Sequence, residues 1–288
     1  MAAKAKEWTV REVLDWTGAY LRRGGVERAS FEAAELLAHA LGEERLALYL
    51  EPERVLTPEE RARFRELVKR RRAGVPLQYL LGQAEFMDLR LRVDERVLIP
   101  RPETEELVEL ILKELDPQRE WEILELGTGS GAIALALAQA LPKGRVLATD
   151  ISPQALALAK ENALRNGLEG RVSFIESDWF EGVVGEFDLV VANPPYVSRE
   201  EARSLPKEVR EHEPRLAWDG GEEGLAAIRE IIVAAPEHLR PGGRLYLEIG
   251  ATQGGRVEAL ALATRAYGEV KVLPDLSGRA RFLRAIRR

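Results

Sequence analysis

The residues best suited to chemistry fall in two short stretches. The first is "GTGSGA", which follows the apolar run "WEILEL" and opens the helix-like run "AIALALAQAL". Within it, Gly127, Gly129 and Gly131 let the backbone turn tightly and approach a ligand closely, with Thr128 and Ser130 between them. A helix N-terminus at this point presents amides and a positive dipole end that suit a carboxylate or phosphate. About twenty residues on, "RVLATD" ends at Asp150, where an acid can take ribose hydroxyls. A loop and an acid so spaced point to a nucleoside-containing cofactor. The second stretch is "NPPY", Asn193 to Tyr196, at the end of the apolar run "FDLVVA". Pro194 and Pro195 fix φ and donate no backbone hydrogen bond, so carbonyls here can point outward on a stiff loop. Asn193 adds a side-chain carbonyl and Tyr196 a flat face. Such a neutral, acceptor-rich cradle suits a planar group that presents an NH2, as methyl transfer to an amide or exocyclic amine nitrogen requires. The plainer alternative is a Pro-Pro strand stop.

The glycine loop also satisfies G-x-G-x-x-G/A, so NAD and a dehydrogenase are one reading. Glu125, just before the loop, favours S-adenosylmethionine, since a carboxylate there meets a cationic amino group and repels a pyrophosphate. Glu125 is otherwise a strand-end residue with a backbone partner.

The elements that must position these stretches follow from periodicity. From residue 121 onward, strand-like runs ("WEILELG", "RVLATD", "VSFIESD", "FDLVVAN", "GRLYLEIG") alternate with helical ones, and "EVKVLPD" with "RFLRAIR" reads as a closing antiparallel hairpin. The fold class expected is α/β: a doubly wound, seven-stranded, Rossmann-like sheet covered on both faces, with a small N-terminal helical domain. In the order 3-2-1-4-5 the glycine loop and "NPPY" face one crevice from its two sides. Residues 8–73 read as a helical bundle whose third helix ends "VKRRR", either a solvated end or a contact for an acidic partner. Residues 86–100 alternate as a β-hairpin. The division expected is 1–84 for the bundle, 85–102 for a hairpin linker and 103–288 for the α/β domain.

Composition narrows the classes. The 288 residues are 45% hydrophobic and 31% charged, which is globular. There is no cysteine, which removes disulfides, thiol nucleophiles and cysteine-ligated metals, and the three histidines lie far apart. No metal site is expected. The absence of a long apolar run or an apolar signal core makes a cytoplasmic protein the expectation, with no membrane partner. A net charge of −6 speaks against nucleic acid as substrate.

"VLIPRPETEELV", "ILELGTGSGAIA", "ATDIS", "ANPPYV", "EPRLAWDGGEEGL" and "LEIGATQG" together resemble the HemK/PrmC family, the release factor glutamine methyltransferases. The resemblance runs from residue 75 to the C-terminus. It implies N5-methylation of the glutamine in the Gly-Gly-Gln loop of class I peptide chain release factors, with S-adenosylmethionine as donor. It places Gly127 to Gly131 and Asp150 at the cofactor, Asp178 on the adenine amine and Trp179 beside the ring; Glu125, Ile151 and Asn193 are assigned to the cofactor beside them. It makes Asn193, Pro194 and Tyr196 catalytic: the Asn193 oxygen and the Pro194 carbonyl would hold the amide NH2, with Pro195 and Tyr196 against the substrate side chain. Arg101, Pro102 and Glu103 match a signature loop near the active site, or form a helix-entry turn; Arg101 and Glu103 are assigned to the substrate side. Trp218 stands where the family pattern has Leu, a packing change. Two rival readings are an adenine-N6 or guanine-N2 methyltransferase of nucleic acid, which shares "NPPY" but calls for a target-recognition domain or basic stripe, and a module that docks on a translation factor without chemistry.

Overall fold

A computed structural model describes residues 7–288, which separate into two compact units. The first runs through Gly82 and also takes in Lys207–His212. It contains α1 (Val10–Arg22), α2 (Ala29–Leu41), α3 (Arg45–Leu50), α4 (Pro58–Ala73) and α5 (Leu77–Leu81). α1 and α4 each start on a capping box, Thr9 with Glu12 and Thr57 with Glu60, which satisfies amides that the first turn leaves unpaired. Pro58 stands at the start of α4 and Gly74, at φ 107°, ends it. α2 buries Ala33, Ala34, Leu36 and Leu37 in a core shared with Leu21, Phe64 and Val68. Each fully buried leucine contributes about 1.5–3 kcal/mol.

The basic run at the end of α4 is not simply a solvated end. Arg71 is buried and paired with Glu32, with Glu208 at 2.7 Å, and its Nη1 donates to Val75 O at 3.2 Å. Three of the four cations from Lys69 to Arg72 remain exposed. Helical phase turns one of them inward, where two acids of the same chain compensate its lost hydration.

The second unit comprises Gln83–Pro206 and Glu213–Arg288. It opens with a hairpin, β1 (Gln83–Phe86) and β2 (Leu89–Arg92), whose turn carries Met87 at φ 50°. The hairpin therefore ends at residue 92, well short of the expected 100. Val93, Val97 and Ile99 are buried as their alternation implied, but Asp94 accepts from Arg96 N at 3.2 Å and Val97 N donates to Asp94 O at 3.1 Å. This tight turn breaks the strand.

Then follow α6 (Pro102–Glu114), β3 (Glu122–Leu126), α7 (Ala132–Ala140), β4 (Arg145–Asp150), α8 (Pro153–Arg165), β5 (Val172–Glu176) and β6 (Phe187–Ala192). α9 (Lys207–His212) belongs to the first unit, and the second resumes with α10 (Ala226–His238), β7 (Leu239–Glu248), α11 (Gly254–Ala263), β8 (Tyr267–Pro274) and β9 (Ala280–Arg287). The sheet order is β5-β4-β3-β6-β7-β9-β8, with β9 antiparallel to both neighbours and the other pairs parallel. This is the doubly wound order expected, with its reversal between β3 and β6.

The central strands feed two cores by alternation. Ile123, Leu189 and Val191 pack with α6, α7 and the hairpin, while Leu124, Leu126, Val190 and Ala192 pack with α10 and α11. Burial on both faces holds β3 and β6 in register, so their carboxyl ends open side by side. No helix among the described residues is long and apolar enough to cross a membrane.

Candidate active site

Above those strand ends lies a cavity of about 350 Å³, at the lower end of the range for small-molecule sites. One wall is the glycine loop between β3 and α7. Gly127, Gly129 and Gly131 have φ of 70°, 53° and 85°, values that disfavour any side chain. A Cβ on Gly131 would also stand 3.2 Å from Leu135 and 3.3 Å from Ala159. The loop is tied to its flanking strands through carboxylates. Thr128 Oγ1 donates to Glu125 Oε2 at 2.6 Å and Ala134 N to the same oxygen at 3.0 Å. Gly129 N donates to Asp150 Oδ2 at 2.8 Å and Ser152 N to Asp150 Oδ1 at 2.9 Å. Glu125 thus has the backbone partner that its strand-end position suggested, and still borders the cavity. Burial pushes its carboxyl up to about 8 against the pull of these two donors, with the Asp150 charge adding to the rise. Asp150 is raised as well, again chiefly by burial.

Asn162 of α8 is fully buried behind this loop. Its amide donates to Ser130 O at 2.9 Å and Arg92 O at 3.0 Å and accepts from Arg92 N at 2.6 Å, so it joins the loop to the hairpin. Sequence reading gave it no role, because nothing local marks a helical Asn as a brace.

The outer end of the cavity is lined by Ile151, Ser177, Asp178 and Trp179. Ile151 is 46% exposed although it follows a buried strand. Trp179 has φ 42°, a strained conformation for a bulky residue, held by Ser177 Oγ donating to Trp179 O at 3.0 Å. A Cβ on Gly127 would lie 3.6 Å from the Trp179 ring, an ordinary contact, so it is the φ of 70° that calls for glycine there.

The facing wall is the segment after β6. Asn193 and Pro195 line the cavity; Pro194 and Tyr196 sit in the same loop but are not among its lining residues. Asn193 Nδ2 donates to Thr104 Oγ1 at 3.0 Å, and Thr104 Oγ1 donates to Glu248 Oε2 at 2.7 Å. Tyr196 OH donates to Glu248 Oε1 at 3.0 Å. Thr104 and Glu248 are buried, and burial raises the Glu248 carboxyl while its two hydroxyl donors pull it down. Burial and the Glu248 charge raise the Tyr196 phenol, which stays protonated as a donor. The backbone of this loop is fixed from behind: Gln253 Nε2 donates to Tyr196 O at 2.9 Å, and Val197 pairs with Trp218 and Gly220. A Cβ on Gly224 would fall 2.3 Å from Tyr196 O, and one on Gly220 would fall 2.8 Å from Pro195 O. Trp218 is buried, as a packing residue should be.

Arg101 and Thr104 also line the cavity, but the Arg101 guanidinium is engaged: Nη2 donates to both oxygens of the buried Glu213, at 2.6 and 2.7 Å. Glu103 lies outside the lining, and its charge is felt by Glu248 and Tyr196. Thr104, Glu213, Glu248 and Gln253 belong to the family-like stretches of the sequence, where nothing local shows a task for them. Only the fold reveals what they hold.

A doubly wound sheet with such a loop and cavity is the frame of a nucleoside-cofactor enzyme, and similarity to known proteins makes its class that of the methyltransferases. Residues 104–221 match the methyltransferase small domain and residues 12–82 match the PrmC N-terminal domain. Among solved structures, a methyltransferase from Pyrococcus furiosus superposes with a TM-score of 0.53 at 21% identity, covering 69% of this chain and 89% of its own. The T. Thermophilus 16S rRNA N2 G1207 methyltransferase gives 0.52 at 20%, covering 72% and 50%; both likenesses speak to fold alone. The release factor glutamine methyltransferase of Moorella thermoacetica is 48% identical over 97% of this chain and 99% of its own length. That of Geobacter sulfurreducens is 46% identical over 89% of each, and that of Rhodopirellula baltica 42% over 96% and 95%. The chain belongs to the release factor glutamine methyltransferase family.

Proposed function

We propose that the protein methylates the side-chain amide nitrogen of the glutamine in the Gly-Gly-Gln loop of peptide chain release factors, using S-adenosylmethionine. The observation that carries this reading is the placement of Asn193: it shares one cavity with the glycine loop and Asp150, and its NH2 end is the one that bonds Thr104. Its Oδ1 is then available to accept from a substrate NH2.

The cavity also fits the donor. Asp150 keeps acceptor capacity beside the bonds it receives from backbone amides, which suits ribose hydroxyls. Glu125 has both its bonds on Oε2, leaving Oε1 for a cationic amino group. Ile151 and the strained Trp179 provide apolar surface for a purine, with Asp178 beside it for an amine. When bound, S-adenosylmethionine supplies an electrophilic methyl on a sulfonium sulfur.

The chain's own part is orientation and charge. An amide nitrogen is a weak nucleophile because its lone pair is delocalised. Asn193 Oδ1 and the Pro194 carbonyl, accepting its two hydrogens, would fix its direction and stabilise positive charge that develops on it. Tyr196 and Pro195 pack on the glutamine side chain. The surplus proton leaves to solvent, so the residues act as acceptors and not as a base.

The test is mass spectrometry of a class I release factor after incubation with the protein and S-adenosylmethionine. One added methyl on the Gly-Gly-Gln glutamine is expected. Methyl incorporation into RNA or DNA, with none into the factor, would overturn the assignment.

A further inference from the structure

We propose that Glu248 and Thr104 form a positioning relay that decides which end of the Asn193 amide faces the cavity. The inference rests on the proposed role of Asn193 as an acceptor for the substrate amide.

An asparagine amide is nearly symmetric in shape, and its two ends differ only in hydrogen-bond sense. A strand end that merely placed Asn193 at the cavity would leave both orientations open, and the flipped one would present a donor to a substrate NH2. The relay removes that choice. Both oxygens of Glu248 act as acceptors, because each receives a hydroxyl: Thr104 on Oε2 and Tyr196 on Oε1. Thr104 has one hydroxyl hydrogen, and at 2.7 Å it goes to Glu248. What remains on Thr104 Oγ1 is lone pairs, so its 3.0 Å contact with Asn193 must be received from the NH2 end. Oδ1 is thereby the end of the amide that Thr104 leaves free, on a side chain that lines the cavity. The same carboxylate anchors the Tyr196 phenol, so one buried group on β7 sets two side chains of the clamp. An amide at position 248 could donate, reverse the Thr104 hydroxyl and admit the wrong orientation.

A purely structural network would hold β6, β7 and α6 together without caring which way Asn193 points. Three variants separate the two roles. Thr104→Val keeps shape and removes the relay; Thr104→Ser keeps the hydroxyl; Glu248→Gln keeps shape and adds a donor. Thr104→Val and Glu248→Gln are expected to lower kcat on a release factor by about 10–100-fold, the scale of loss when a group that orients the substrate is misplaced. KM and the S-adenosylmethionine dissociation constant, by calorimetry, should stay within about twofold, and Thr104→Ser should restore kcat. A readout independent of activity is at hand because the chain has only three asparagines, Asn162, Asn166 and Asn193. With 15N-asparagine labelling, the Asn193 NH2 pair should shift and lose its protection from exchange in Thr104→Val and hold both in Thr104→Ser. An unchanged Asn193 NH2 pair in Thr104→Val, or full kcat with that pair displaced, would overturn the relay. Should the wild-type protein methylate no release factor while the NH2 signature follows the hydroxyl as described, the orientation stands and the substrate assignment falls.

Discussion

The two walls of the cavity are held rigid in different ways. The glycine loop is braced mainly by neighbours in the chain. Thr128 and Ala134 reach Glu125 across 3 and 9 residues, and Gly129 reaches Asp150 across 21. The clamp after β6 is braced by distant residues: Asn193 to Thr104 spans 89 residues, Tyr196 to Glu248 spans 52 and Tyr196 to Gln253 spans 57. The nearby Arg101–Glu213 pair spans 112. A short closure costs little entropy and forms with its βαβ unit, whereas the long ones exist only once the whole sheet is assembled. Binding of a cofactor can therefore tolerate disturbance that alignment of a substrate cannot.

The sharpest break in that comparison is Asn193→Ala. Turnover should fall about 10²–10³-fold, as when a preorganised polar partner of the transition state is deleted. Calorimetry should find S-adenosylmethionine affinity close to wild type. Equal losses in both measurements would mean that the two walls are one unit.

Next is a pair of glycine substitutions. Gly224→Ala puts a Cβ against Tyr196 O and should cut turnover about 10–100-fold with cofactor affinity retained. Gly131→Ala strains a φ of 85° in the other wall and should weaken cofactor affinity first. The same two assays read both variants.

Glu125 sharpens the comparison through pH. Its folded-state value is raised from 4.5 to about 8 by burial. The folded protein then keeps a proton that the unfolded chain releases, so stability from this group is present below about pH 4.5 and is lost as pH climbs to about 8. Glu125→Gln should flatten that decline in urea denaturation midpoints measured across the interval. Buried Asp150 and Glu248 act in the same direction and remain in the variant.

The last variant, Arg101→Ala, is expected to act on stability and not on turnover. It takes from the buried Glu213 a guanidinium that bonds both carboxylate oxygens. A loss of about 1–3 kcal/mol, read by chemical denaturation, is expected. Loss of release factor binding without loss of stability would instead assign Arg101 to the substrate.

Much of the site was legible before the fold. Glycines with left-handed φ, an acid at the next strand end and two prolines after a strand are local signals. Each limits the backbone conformations its own segment can adopt. The hairpin was misjudged in extent because buried alternation at Val93, Val97 and Ile99 looks the same in a strand and in a loop that turns at Asp94. Arg71 was missed as a buried ion-pair member because a basic run reads alike on a solvated helix end and on one that faces acids far along the chain.

By itself, then, the sequence determined the alternation of strand and helix, the conformations of the glycine loop and the chemical types at each strand end. These follow from φ preferences and apolar periodicity, which act within a few residues. Tertiary structure alone decided that Thr104, Glu248 and Gln253 stand behind Asn193 and Tyr196, and hence which polar atoms remain for a ligand. A hydrogen-bond partner is selected by proximity in space, and proximity across 50 or 100 residues is fixed only when β6 and β7 pair and α6 packs on the sheet.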